Sequence, residues 1–325
     1  DHIPGAINCP VLDNDQRVEV GTLYKQVSPF VAKKIGAAMV SENIGRHLRE
    51  RFLGKARDWK PLIYCWRGGN RSGSMTTVFR AIGWKASQLE GGYKTWRSHV
   101  VAQLNDLPRA FRFRVICGAT GSAKTRILQA IGALGEPVLD LETLASHKGS
   151  VLGVLPGQPQ PDQKWFETLL LQELERLDPA RPVYVEAESR KIGRLHVPEA
   201  LIERIRVGEC LNVDATLAAR IAFLLADYDY LLTMPELLTE RLDVLRSLHS
   251  RETMSHWQEL IAAADWPALV RELLERHYDP LYRRSQDRNF TGYGNPDTFP
   301  ADDLSAAGIA GIAARIVHSR TAQIA

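Results

Sequence analysis

Two stretches of this chain place reactive side chains where local backbone geometry can tune them. The first is Cys65-Trp-Arg-Gly-Gly-Asn-Arg71. A thiol that opens a glycine-rich turn ahead of a helix faces successive backbone N–H groups and the positive end of the helix dipole. Such a cradle holds an anion or lowers a thiol pKa. Arg67 and Arg71 add fixed positive charge, and Arg71 stands where it can close a ring around an oxyanion. Cys65, Arg67 and Arg71 are therefore the candidate catalytic set, with Trp66, Gly68 and Gly69 as candidate contacts to substrate or RNA. The plain alternative is an inert core cysteine. The second stretch is Gly118-Ala-Thr-Gly-Ser-Ala-Lys-Thr125, close to the phosphate-binding pattern G-x-x-x-x-G-K-[ST]. Its chemistry would be N–H groups around a polyphosphate, Lys124 on the terminal phosphates and Thr125 on Mg²⁺.

The candidate phosphate-binding residues are Gly118, Thr120, Gly121, Ser122, Ala123, Lys124 and Thr125. Ala123 departs from the pattern, which has glycine before the lysine. If that position needs a glycine-only conformation, a Cβ there strains the loop. After a strand-like run, Glu186-Ala-Glu188-Ser189-Arg190-Lys191 offers carboxylates for a water-bridged Mg²⁺, and Arg190, Lys191 and Arg194 can meet phosphates. An exposed charged loop explains the same string equally well. His147, Lys148 and Ser150 stand in a polar, glycine-rich stretch that is either a substrate loop or a plain connector. Tyr282, Arg283, Arg284 and Arg288 either touch RNA or cap a helix end.

Both stretches share one grammar: a short apolar run, a phosphate-sized turn, then a helix. The first run is Pro61 to Tyr64, with the helix expected over Ser72–Ile82; the second is Phe113 to Cys117, with the helix expected over Lys124–Leu134. Strand, turn and helix is the repeating unit of a parallel α/β sheet. Ser87 to Trp96 reads as a short strand, a Gly-Gly turn and a helix start. Pro137–Leu141, Pro182–Glu186 and Arg206–Val213 are further strands, and Thr216 to about Arg284 is mostly helical. The turn-rich run Asn105–Arg109 sets a boundary near residue 108, giving domains 1–108 and 109–325. The last 35 residues, Ala-rich from Ala306, show no readable role.

The chain has 325 residues, 45% hydrophobic and 24% charged, with 24 Gly and 17 Pro, a globular composition that excludes disordered, collagen-like and coiled-coil chains. No apolar run approaches the roughly 20 residues that cross a bilayer, so no membrane association is expected. A formal charge of +3 conceals an asymmetry. Residues 1–108 hold 16 Lys+Arg against 9 Asp+Glu, a net +7, and the remainder holds 25 against 29, a net −4. An anionic partner or simply solvated lysines would account for the basic first third. Cys9, Cys65, Cys117 and Cys210 lie far apart without a metal-ligand cluster, so neither a structural zinc nor any tightly bound metal is expected. The same spacing argues against a disulfide scaffold and for a reducing cytosol. The chain opens on Asp1-His2 without methionine or signal peptide, which reads as entry into the middle of a fold, with a segment expected before it.

His2-Ile-Pro-Gly-Ala-Ile7, the Cys65 turn and Leu89-Glu-Gly-Gly-Tyr-Lys-Thr-Trp96 resemble the rhodanese family, in the same order. In that family the active cysteine carries a persulfide or its selenium equivalent. The departure is five residues, Trp66 to Asn70, before Arg71, where sulfurtransferases have four. Cys-x5-Arg is the spacing of the dual-specificity phosphatases, so a phosphatase-like or sulfurtransferase enzyme fused to a kinase-like domain is a rival; Tyr64 replaces the histidine usual before the phosphatase cysteine. Taken with the phosphate loop, His147-Lys-Gly-Ser-Val-Leu-Gly153, Val185-Glu-Ala-Glu-Ser-Arg-Lys-Ile-Gly193 and Tyr278-Asp-Pro-Leu-Tyr282, the whole chain resembles the tRNA 2-selenouridine synthases. That resemblance implies a rhodanese-like parallel-sheet domain followed by a P-loop NTPase-like α/β domain with a helical C-terminal region. It implies a transferase that replaces the sulfur of a wobble 2-thiouridine in tRNA with selenium from selenophosphate, through an S-geranyl intermediate made from geranyl diphosphate. Implied partners are thiolated tRNA and a selenophosphate-supplying enzyme. In this reading the phosphate loop holds geranyl diphosphate, and Cys65 either carries selenium or receives the displaced thiol. Trp66 or Tyr93 is available to stack on an unpaired base, or Trp66 packs beside the cysteine. A non-catalytic tRNA-binding module is the remaining alternative.

Overall fold

A computed structural model describes residues 1–282, 284, 290, 294 and 296–324 of the chain, which divides into two compact units, Asp1–Val101 and Ala102–Ala325. Arg283 and Arg288, read as either RNA contacts or helix caps, lie outside the described residues.

In the first unit α1 (Asn14–Gln26) begins with a capping box. Asp13 accepts from the Gln16 N–H, and the Gln16 side chain accepts from the Asp13 N–H. It pairs with α2 (Pro29–His47), which has Ser28 at its N-cap. Two short parallel strands follow, β1 (Leu62–Ile63) and β2 (Ser87–Gln88), with Leu62 opposite Ser87 and Ile63 opposite Gln88. The expected parallel sheet amounts here to four residues, because the core is made elsewhere. Phe52, Trp59, Phe79 and Trp84 pack ring on ring at centroid distances of 5.1–5.9 Å between α2, α3 (Asn70–Ile82) and the strands. Aromatic pairs of this kind add to the area they bury. α4 (Tyr93–Asp106) leads into the second unit.

The second unit is built on five parallel strands in spatial order β4-β5-β3-β8-β9. They are β3 (Phe113–Cys117), β4 (Val138–Leu139), β5 (Val183–Glu186), β8 (Glu209–Asp214) and β9 (Asp297–Pro300). A two-stranded antiparallel pair, β6 (Lys191–Ile192) with β7 (Leu195–His196), stands apart. Central strands buried on both faces read as unbroken apolar runs, and every residue of β3 is buried. The exception in that run is Arg114. Its guanidinium donates to both oxygens of Glu209 at 2.8 and 2.9 Å, to the Tyr184 hydroxyl at 2.9 Å and to the Ile316 carbonyl, so one buried cation joins β3, β5, β8 and the last helix.

Helices α5 (Lys124–Ala133), α6 (Leu141–Ala145), α7 (Gln163–Arg176) and α8 (Glu199–Arg206) alternate with the strands. Arg206 ends α8, so the strand expected from that residue begins at Glu209. The helical segment resolves into α9 (Leu217–Asp227), which sets Ala219 and Phe223 against the sheet core, and α10 (Asp229–Leu232), α11 (Pro235–Leu242), α12 (Arg251–Ala262) and α13 (Trp266–Leu273), packed around the fully buried Trp257. The last residues, unreadable in the sequence, provide edge strand β9 and α14 (Ala306–Ile324). Through Ile309, Ile312, Ala313 and Ile316, α14 closes the core over α5 and the sheet. No described helix is long and apolar enough to cross a membrane.

Candidate functional site

Each unit carries one turn of interest. In the first, Cys65 follows β1 and the turn reaches α3 through Gly68 and Gly69, at φ +75° and +73°. Left-handed backbone is open to glycine at little cost, and the two together point the following N–H groups back toward the sulfur. Ser72, buried on α3, donates its hydroxyl to Cys65 Sγ at 3.3 Å. Gln88 of β2 holds Ser72 in turn, with Nε2 2.9 Å from the hydroxyl and 2.8 Å from the Gly69 carbonyl. Burial pushes the Cys65 thiol up; the Ser72 hydroxyl, the N–H groups of Ser72 and Gly69 and the Arg71 charge outweigh it, and the thiol lies below the ordinary cysteine value. The other half-exposed thiol, Cys9, is raised by burial. Arg67 is exposed and Arg71 half-exposed, and neither forms an ion pair among the described residues. Trp66 is 49% exposed, with one face stacked on Tyr93 at 5.3 Å. It both packs beside the cysteine and leaves surface uncovered.

In the second unit β3 delivers the chain to Gly118, at φ +153°, where a Cβ would sit 2.5 Å from Ser122 Oγ and 2.9 Å from the Val213 carbonyl. The turn ends at Ala123, at φ +58° and ψ +27°. The position does take the left-handed conformation that the pattern's glycine serves, and alanine occupies it at a cost of about 1 kcal/mol or more. Its methyl is recovered in part by burial among Ile116, Ile127 and Leu128. Among the described residues no side chain caps α5, which leaves its first-turn N–H groups available to the turn, as an anion site requires. Lys124 Nζ donates to the Gly118 carbonyl at 2.9 Å, and the Gly118 N–H donates to the Tyr282 hydroxyl at 2.6 Å.

This turn opens into a cavity of about 630 Å³. Thr120, Gly121, Ala123, Lys124, Thr125, His147, Lys148, Ser150, Glu186, Glu188 and Ser189 all reach its wall, so most of the second unit's candidates converge there. Gly118 and Ser122 support the turn from beneath; Ser122 Oγ is buried without a hydrogen-bond partner among the described residues. Lys148 is held by Asp227 at 2.6 Å and lies over Tyr228. Arg190, Lys191 and Arg194 are not on the wall. Arg190 pairs with Glu199, Lys191 is exposed on β6, and Arg194 donates to the Gln160 and Pro161 carbonyls.

Glu142 lies outside the motifs legible in the sequence, yet it lines the same cavity. Its carboxylate accepts from the Thr125 hydroxyl at 2.9 Å, which also lies 3.2 Å from Glu186. Ligand oxygens of Glu142, Glu186 and Glu188 all lie within 4.8 Å of one another. Burial raises all three carboxyls; repulsion from Glu188 adds to it at Glu142, bringing that carboxyl to about 8, and repulsion from Glu142 and Glu188 adds to it at Glu186. Glu186 keeps one buried oxygen without a partner. Three oxygen ligands, an adjacent hydroxyl and an orphaned acceptor fit a hard divalent cation such as Mg²⁺. The sequence held the signal for Glu142, an acidic residue just past a strand, as for Glu186.

A family model described as the tRNA 2-selenouridine synthase AAA domain matches residues 111–243, and a rhodanese-like domain model matches residues 1–99. The chain is similar to proteins named tRNA 2-selenouridine synthase. That of Nitrosomonas europaea is 36% identical over 72% of this chain and 60% of its own length. That of Nitrosomonas eutropha is 35% identical over 70% and 59%. The chain thus spans about 60% of the length of these two relatives. That of Marinobacter nauticus is 32% identical over 86% of this chain and 83% of its own length.

Proposed function

The chain belongs to the tRNA 2-selenouridine synthase family, and on that premise we propose that it exchanges the sulfur of a wobble 2-thiouridine in tRNA for selenium. The donor is selenophosphate, and an S-geranyl thiouridine made from geranyl diphosphate is the intermediate. The observation that carries this reading is the pairing of a phosphate loop walled into a cavity with a separate turn that activates a thiol.

In the first step the thiouridine sulfur attacks C1 of the prenyl chain. A C–S bond forms, the C–O bond to diphosphate breaks with its electron pair going to the leaving oxygen, and the base loses its N3 proton. Lys124 and the first-turn N–H groups of α5 meet the charge that grows on the diphosphate. Thr125, Glu142, Glu186 and Glu188 would hold the divalent cation, which supplies further positive charge there when bound. In the second step the selenium of selenophosphate adds to C2 of the base, geranyl thiolate leaves and takes up a proton, and water then takes the phosphoryl group, breaking the P–Se bond and releasing phosphate and the selenouridine. An S-alkyl group departs more readily than a thiocarbonyl sulfur. The Cys65 turn serves this step: Arg67 and Arg71 grip the phosphate of the donor, and the Cys65 thiolate takes part in selenium delivery. Trp66 offers its open face to an unstacked anticodon base, and the basic first unit meets the tRNA backbone.

The test is mass spectrometry of a thiolated anticodon stem-loop incubated with geranyl diphosphate, then with selenophosphate. A mass gain of one geranyl group followed by exchange to the selenouridine mass is expected; an unchanged stem-loop would leave a tRNA-binding module. The Ser72 hydroxyl on the sulfur of a Cys-x5-Arg turn favours one second reading, phosphatase chemistry, which Cys65-dependent turnover of an aryl phosphate would reveal.

A further inference from the structure

Beside the phosphate cavity lies a smaller crevice whose lining is almost entirely hydrocarbon, drawn from α10, α11 and α13. Leu231, Leu238, Leu269 and Leu273 form its depth and belong to the same packed cluster as Trp257, while Leu232 and Val270 are half-buried at its side. Thr120, Ser150, Leu224, Tyr228 and Tyr278 line both spaces, so the crevice opens directly off the phosphate loop. A ligand that fills both must be amphiphilic, anionic where Lys124 stands and apolar beyond Leu224. The crevice offers a nucleobase almost no hydrogen-bond partners, and burying the edges of a base unsatisfied is costly. A saturated or prenyl chain loses nothing there.

We infer that this crevice receives the hydrocarbon chain of the diphosphate ester and that its leucine floor limits how long that chain can be. The inference rests on the reading that the Lys124 turn grips a prenyl diphosphate, and it adds where the chain goes and what measures it. The floor cannot recede without repacking Leu238, Leu269 and Leu273 against Trp257, and packed cores give way only at a cost. The crevice is small, about 60 Å³, so each isoprene unit added to the chain presses further on that floor, and geranyl is accepted ahead of farnesyl.

Calorimetric titration of the full chain with inorganic pyrophosphate, dimethylallyl, geranyl and farnesyl diphosphates and ADP tests this. Geranyl diphosphate should bind about 30-fold or more tighter than pyrophosphate, since buried methylene groups add affinity, and tighter than farnesyl diphosphate or ADP. Val270→Trp should erase that advantage while pyrophosphate affinity stays within about two-fold. Leu273→Ala should raise farnesyl relative to geranyl affinity about ten-fold. Leu232→Phe is a second narrowing variant should Val270→Trp misfold. Equal binding of geranyl diphosphate and pyrophosphate, or a geranyl advantage that survives every folded narrowing variant, would overturn the crevice while leaving the phosphate-loop reading intact. Failure of pyrophosphate to bind, or binding indifferent to Lys124→Ala, would instead overturn the reading beneath it.

Discussion

The Cys65 turn and the Lys124 turn share a local plan and differ in everything around it. Cys65 leaves a two-residue strand in a two-stranded sheet, and its two arginines carry their charge into solvent-accessible space. Lys124 follows a five-residue strand buried along its whole length at the centre of a five-stranded sheet, and it faces a cavity with three carboxylates. A half-exposed thiol whose neighbouring cations form no ion pair among the described residues suits a large anionic partner brought to it. A walled pocket with three clustered carboxylates suits a small ligand that must be desolvated. One backbone device, the amides of a turn aimed at an anion, thus stands in two different surroundings, and what the fold leaves open around each limits what it can bind.

Crossed variants test this division most severely. Cys65→Ser should abolish selenation, with a drop of about 10³-fold or more, and leave geranylation measurable. Lys124→Ala should depress geranylation by about 10²- to 10³-fold. Equal loss of both steps in either variant would merge the two turns into one site. The strand beneath the Lys124 turn comes next. Arg114→Met removes a buried bidentate pair and leaves the Tyr184 hydroxyl and Glu209 without their donor. A loss of about 2–4 kcal/mol is expected, reduced from a fully buried pair because the Glu209 side chain is 42% exposed. Hydrogen exchange should show it in the second unit and not in residues 1–101.

A smaller effect concerns the cation. Mg²⁺ should raise the melting temperature of the chain in proportion to its occupancy, and Glu186→Gln should remove that rise. A rise that persists in the variant would place the cation elsewhere. On the thiol side, a lowered pKa keeps Cys65 as thiolate to a lower pH than free cysteine. Ser72→Ala removes the side-chain donor that opposes burial, so the pH midpoint of Cys65 alkylation, followed by peptide mass spectrometry, should move upward. The rate at pH 7 should fall about three- to ten-fold. Ala123→Gly should be the mildest change, stabilising the second unit by no more than about 1 kcal/mol as the left-handed residue loses its Cβ. A lower melting temperature would show that the buried methyl outweighs the strain.

Both turns were legible in the sequence because each is written in consecutive residues. A cysteine or lysine placed beside glycines between an apolar run and a helix dictates its own geometry, and the helices α3 and α5 follow within two residues of expectation. The concern over Ala123 was legible for the same reason, since a single residue's φ is a local property. Glu142, 44 positions before Glu186 in number, reaches the same hydroxyl only because β4 and β5 run side by side. The charged run 190–194 promised phosphate contacts, and tertiary neighbours claimed two of its three cations instead.

What the chain's sequence determined by itself is therefore the chemistry on offer: a thiol in a basic turn, an amine on a phosphate loop, and the parallel α/β framework that ends in such turns. Only the tertiary structure decided which carboxylates gather around Thr125, that Tyr282 returns to the Gly118 N–H, and that leucines from three separate helices leave an apolar crevice beside it. Local pattern fixes backbone conformation and the identity of a reactive group. Proximity between distant segments is settled by how the core packs, and packing depends on the summed shape of many side chains that no single motif records.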